Sequence, residues 1–218
     1  MTNDEMVLRI REDKSIRLEF MEDGRMRTKV ISIGTLTDCI KGSLAGIQIT
    51  TGLLPKNALS VVIDPNNGQR YAVLEFPEER ATITYMQTKY PDFPLPRLLF
   101  GFRLESSGRI SGVNIGVPEP GKLTPDTKMF FYPFSNVNRF YMCTGANSLP
   151  HIKSLQQLEN LPYYILSLPD NDDFYQERNN RLRLGHRDLL EHLRGKDRQY
   201  YYDQVLVPMP NTTLKNFI

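Results

Sequence analysis

The segment LTPDTKMFFYPFSNVNRFYMCTG, residues 123–145, decides the reading of the chain. Two short aromatic runs, Met129–Tyr132 and Phe140–Cys143, have the bulky composition of strands, and Pro133–Asn138 between them reads as a loop. Cys143 closes the second run. Thr144-Gly145-Ala146-Asn147 follows, and glycine and asparagine there permit a tight turn that exposes the sulfur. Asn136 stands seven residues earlier, across a short hairpin, where its side-chain amide can reach the sulfur region and donate to an oxyanion. On its residues alone, a cysteine at a strand end is structural more often than nucleophilic, because a nucleophile needs partners that only the fold can place.

Toward the N-terminus the pattern is that of strands. Val7–Arg11 and Ile16–Met21 alternate apolar and charged residues, a hairpin turn is expected at Glu22–Arg25, and Met26–Ile33 returns. Thr35–Gly42 reads as a short helix, capped by Thr35 and stopped by Gly42, with Cys39 buried between Leu36 and Ile40 as a small hydrophobe. Strands follow at Leu59–Ile63, Arg70–Phe76 and Ala81–Met86. Tyr90–Pro96 holds three prolines and cannot be a central strand. Leu98–Leu104 and Ile110–Val117 form a hairpin around Glu105–Gly108, and Pro118–Lys128 is a loop.

Toward the C-terminus the periodicity becomes helical. Ser154-Leu155-Gln156-Gln157 is a capping-box signature, and Leu155, Leu158 and Leu161 follow at helical spacing. Pro162 breaks that helix or starts the next, and Pro169 closes it. Leu184–Arg194 is a second helix with Leu189, Leu190 and Leu193 on one side, stopped by Gly195. Gln199–Val207 reads as a strand or extended arm. The class is α+β, mostly antiparallel sheet first and helices after. Residues 1–50 are expected to be a β-rich extension packed on a core domain of residues 51–218.

Composition narrows the function. The 218 residues carry 27 Lys+Arg and 25 Asp+Glu, a net charge of +2, which argues against a protein that works through electrostatic contact with nucleic acid or anionic lipid. Two cysteines cannot make a disulfide framework. No apolar run has the length of a signal peptide or of the roughly 20-residue membrane span, so the expectation is a soluble, cytoplasmic chain. His151, His186 and His192 have no zinc spacing and read as surface or packing residues, and the glycines form no phosphate loop. Residues 178–198 hold seven Lys/Arg and three Asp/Glu, a local charge of +4. It reads first as a solvated helix face and second as a docking surface for an acidic partner.

Five blocks carry a resemblance: TGLLPKN (51–57), FPLPRLLF (93–100), the segment 123–145, LPYYILSLPDNDDFY (161–175) and YYYDQVLVPMPNTTL (200–214). In this order they resemble the prokaryotic ubiquitin-conjugating-enzyme-like family D, the family of the B proteins of the PRTRC systems carried on mobile elements. The resemblance implies a ubiquitin-conjugating-enzyme-like (UBC) fold, a four-stranded antiparallel meander with flanking helices. It implies that Cys143 accepts a ubiquitin-like modifier as a thioester from a ThiF-like adenylating enzyme and transfers it to an amine. Asn136 would stabilise the oxyanion, and Asp172 and Asp173 would orient the attacking amine or lower its pKa. No metal or organic cofactor is implied.

This chain departs from the wider superfamily's His-Pro-Asn motif, with Tyr132 or Phe134 where the histidine would stand. It has Asn138-Arg139 where Asp-Gly is usual, and Leu168-Pro169 where relatives carry a histidine before the proline. Two alternatives stay open: a catalytically inactive UBC-like binding module, and a DNA-maintenance accessory.

Overall fold

The structure is a computed structural model that describes residues 6–13, 15–22, 24–44 and 50–218. It divides into two compact units, residues 1–50 and residues 51–218. In the first, β1 (Val7–Ile10), β2 (Ile16–Glu22) and β3 (Arg25–Ile31) form an antiparallel sheet in that order. Of the hairpin turn expected at residues 22–25, Asp23 lies outside the described residues. Helix α1 (Ile33–Leu44) is longer than the sequence suggested. The Ser32 hydroxyl caps it by accepting from the Thr35 N–H at 3.0 Å, and Gly42 lies inside it. Cys39 is not a packing residue: it is exposed, and Ile40 next to it is 51% exposed.

The second unit is built on a meander. Strands β4 (Ala58–Ile63) and β5 (Arg70–Glu75) pair antiparallel around a turn that Gly68 makes at φ +70°, closing a hydrogen bond from its N–H to Asp64. The chain then leaves the sheet for the hairpin β6 (Arg80–Tyr85) and β7 (Thr88–Pro94). The prolines of β7 are tolerated because it is an edge strand, paired only to β6. The chain returns as β8 (Leu99–Leu104), against β5, and turns into β9 (Ile110–Pro118).

Beyond β9, one long edge is shared by two short strands. β10 (Lys128–Phe130) takes Val117 and Pro118, while β12 (Tyr141–Met142), the return of a hairpin with β11 (Val137–Asn138), takes Val113 and Asn114. A 3₁₀ turn (Leu155–Asn160) leads into α2 (Leu161–Ser167), which Pro162 starts. The capping box at Ser154 does not form; the Gln157 side chain instead accepts from the Lys153 N–H at 2.8 Å. After α2, β13 (Pro169–Asp170) pairs parallel to β6.

Helix α3 (His186–Leu193) buries Leu189, Leu190 and Leu193 completely. The expected arm at 199–207 is instead helical, as α4 (Arg198–Tyr200) and a π-turn (Tyr201–Val205) that put Tyr201 and Val205, four residues apart, into the core. A last strand, β14 (Pro208–Thr213), pairs with β10.

Both faces of the meander are covered, which explains why β8 opens LFGF rather than alternating with polar residues. Ala72 and Leu74 of β5 and Phe100 and Phe102 of β8 face the main core, with Leu158, Ile165 and the leucines of α3. Val73 and Leu99 face a smaller core closed by Met209, Leu214 and Phe217. The architecture is mixed α+β with mostly antiparallel sheets, and no described helix is long and apolar enough to cross a membrane.

Candidate functional site

The loop between β10 and β11 is fixed by aromatics. Tyr132 and Phe134 are both buried, edge-to-face at 5.3 Å, and Phe134 also meets Phe93 and Tyr201. Both side chains therefore serve the core. Asn136 follows in the left-handed region, φ +59°, a conformation asparagine tolerates better than most residues. It turns the chain into β11; Arg139, at φ +55°, makes the hairpin turn, and β12 delivers Cys143.

Asn136 is held at three points. Its carbonyl accepts from the Cys143 N–H at 2.8 Å, its own N–H donates to the Asp173 carbonyl at 2.6 Å, and its side-chain Nδ2 donates to Asp170 Oδ1 at 2.8 Å. Asp170 is fixed in turn by β13, and its carbonyl accepts from the Met86 N–H at 2.7 Å. The result is a small cleft of about 110 Å³ lined by Asn136, Cys143, Asn147, Leu168, Asn171 and Asp173 among others. Cys143 is half-buried at its edge.

The structure thus gathers Cys143, Asn136 and Asp173 at one cleft and turns Asp172 elsewhere. Asn171 closes the acidic loop on itself: its Oδ1 accepts from the Asp173 N–H and its Nδ2 donates to Asp173 Oδ2 at 2.9 Å. Asp172 Oδ1 accepts from the Tyr85 hydroxyl at 2.8 Å and lies 3.5 Å from Nδ1 of His186. The His186 ring is buried, stacked on Tyr175 at 4.6 Å and edge-on to Tyr85 at 4.4 Å, and neither ring nitrogen has a hydrogen-bond partner among the described residues.

Two groups here titrate far from their ordinary values. Burial pushes the Asp170 carboxyl up to about 7, against the opposing pull of the Asn136 amide. Burial pulls His186 down to about 4, with the Asp172 carboxylate resisting. The Tyr132 phenol is raised by burial first and by the Asp170 charge second. Near neutral pH the Asp170 carboxyl that holds the Asn136 amide therefore stands between its two protonation states. His186 stays neutral.

Sequence reasoning passed over Asp170 and His186. Asp170 stands in the same acidic run as Asp172 and Asp173, and only the pairing of β13 with β6, 85 residues away in sequence, selects which carboxylate meets Asn136. His186 carried no local signal, since its neighbours Tyr85 and Tyr175 come from distant parts of the chain.

The chain matches no protein-family model, no curated protein and no solved structure.

Proposed function

We propose that residues 51–218 form a UBC-like domain of the family D type, and that Cys143 carries a ubiquitin-like modifier as a thioester. The observation that carries this reading is the bracket between Asn136 and Cys143. The asparagine carbonyl accepts from the cysteine N–H, and both residues line one cleft. In the proposed reaction the Cys143 thiolate attacks the carboxyl carbon of the modifier's C-terminus, activated by a ThiF-like adenylating enzyme. That enzyme's leaving group departs with the bonding electron pair. A target amine then attacks the thioester carbonyl and loses a proton, and Cys143 leaves as thiolate.

Asn136 keeps one amide N–H beyond the one given to Asp170, available to the oxyanion. Asp173 lines the cleft where the amine would arrive, while Asp172 lies outside it, against Tyr85 and His186.

The test is incubation with the cognate activating enzyme, modifier and ATP. The expected product is a thiol-sensitive adduct that Cys143→Ser converts to a thiol-resistant ester. No adduct under conditions where the activating enzyme itself charges would sink the proposal.

A second reading is favoured by one observation: Asn136 is buried and its amide is already engaged by Asp170, as a purely structural asparagine would be. The same domain would then hold its modifier or partner non-covalently within a mobile-element system. Under that reading Cys143→Ala retains modifier binding and biological function, and no adduct forms.

A further inference from the structure

A second concavity, of about 400 Å³, lies along strand β11. Asn136 lines the Cys143 cleft, and the next two residues, Val137 and Asn138, line this groove. Its volume falls in the range of ligand sites. Three arginines from two distant parts of the chain converge on it: Arg139 from the β11–β12 turn, and Arg178 and Arg183 from the segment before α3. Its remaining wall is neutral, with Phe131, Val207 and Pro210 as apolar members, and none of its lining residues is acidic.

The three arginines form no ion pair with any described residue. Arg178 uses its Nε to donate to Gln176 at 2.7 Å, which orients the guanidinium and leaves its terminal nitrogens free of described partners. Arg139 and Arg183 both sit in left-handed backbone, at φ +55° each, where glycine or asparagine would be cheaper. Other cations of the basic segment behave differently. Arg181 donates to the Asp203 carbonyl, Arg187 lies 5.1 Å over the Tyr85 ring, and Arg198 pairs with Glu79 at 3.3 Å. The +4 charge of residues 178–198 is therefore partly neutralised in place and partly delivered, uncompensated, to one groove.

We propose that this groove is a docking site for an acidic, extended peptide segment of a partner protein. Guanidinium forks take carboxylates in bidentate pairs, and the apolar wall takes the aliphatic or proline side chains between them. A peptide fits better than nucleic acid. Three guanidinium groups without an ion pair converge on one concavity with an apolar wall, a shape that takes a short segment, and the whole chain is close to neutral. The inference does not depend on Cys143 being reactive.

The test uses the full chain and three labelled probes read by fluorescence anisotropy: a peptide alternating Glu with Val and Pro, its Gln-for-Glu twin, and a single-stranded oligothymidylate. The acidic peptide should bind saturably, and its twin at least about tenfold more weakly. Arg178→Gln with Arg183→Asn, the latter chosen because asparagine tolerates the left-handed backbone, should weaken the acidic peptide by about tenfold or more. Arg139→Gln, on a separate loop, should weaken it in the same direction, and Arg187→Gln, outside the groove, should change nothing. A melting curve on each variant separates loss of the site from loss of the fold. The proposal is overturned if the acidic peptide does not bind saturably or the twin binds equally. It is also overturned if the folded groove variants bind unchanged, or if the oligothymidylate binds tighter than the peptide and loses affinity with the same arginines.

Discussion

Replacing Asp170 by asparagine should change how stability depends on pH, and should do so in a direction that the wild-type curve conceals. The Asp170 carboxyl is raised from an ordinary 3.8 to about 7. Between those values the folded state keeps a proton that the unfolded chain has released, so Asp170 erodes stability as pH rises from about 4 to 7. At about 1.4 kcal/mol per pKa unit the full effect is about 4 kcal/mol, an upper bound because part of the residue's surface remains exposed. His186 works the other way. It is lowered from 6.5 to about 4, so below 6.5 the unfolded chain takes up a proton that the folded state refuses, and stability is lost on acidification, by up to about 3 kcal/mol.

In the wild type the two slopes oppose each other across the same window, and the net curve should be shallow. Asp170→Asn removes the first slope while its Oδ1 can still accept the Asn136 amide. The variant should match wild type near pH 4, exceed it by about 2–4 kcal/mol at pH 8, and gain stability between pH 4 and 6.5 on its own curve. Urea unfolding followed by tyrosine fluorescence is the suitable assay. The chain has no tryptophan, and all 11 tyrosines fall within residues 71–202, so the signal reports the second unit alone. A difference between variant and wild type that stays constant from pH 4 to 8 would refute the reasoning.

Three further substitutions test the scaffold of the site. Asn136→Ala should lose about 2–3 kcal/mol, by orphaning Asp170 and by putting alanine, which tolerates left-handed backbone less well than asparagine, at φ +59°, whereas Asn136→Gly should recover the backbone share; equal losses would show that only the amide matters. Gly108→Ala should lose about 2–4 kcal/mol in urea titration, because φ is +93° and the new Cβ would meet the Ile152 carbonyl, whose own N–H bonds to Gly108; a neutral substitution would mean the β8–β9 turn is placed wrongly. Leu189→Ala, at a fully buried position of α3, should lower stability by about 2–5 kcal/mol, and a loss under 1 kcal/mol would contradict the packing of that helix.

Local patterns carried much of this fold into the sequence. The β8–β9 hairpin, the edge character of the proline-rich 88–94 strand and the buried face of α3 each follow from alternation, missing N–H donors or leucine spacing. Residues 199–207 misled because a run of tyrosines and valine has strand-like composition, although Tyr201 and Val205 already stood at helical spacing. Strand β14 hid behind Pro208 and Pro210, which it tolerates by pairing only with β10.

At the candidate site, Asn136 and Cys143 were legible as a pair because one short hairpin joins them. Which of the neighbouring aspartates would meet the asparagine was not legible, since rotation of that loop is set by a parallel pairing with a strand far away in the sequence. Exposure of Cys39 escaped prediction for a similar reason: apolar neighbours at helical spacing do not supply the surface that would cover them.

The order in which the chain is made gives the second face of the meander a separate significance. During synthesis the strands holding Val73, Leu99 and Met129 emerge well before Met209, Leu214 and Phe217, which cover them. For that interval the nascent sheet presents an apolar face with nothing to bury it, an adhesive state that chaperones recognise. A polypeptide interrupted before residues 208–217 would keep the residues of the main core and leave this second face bare.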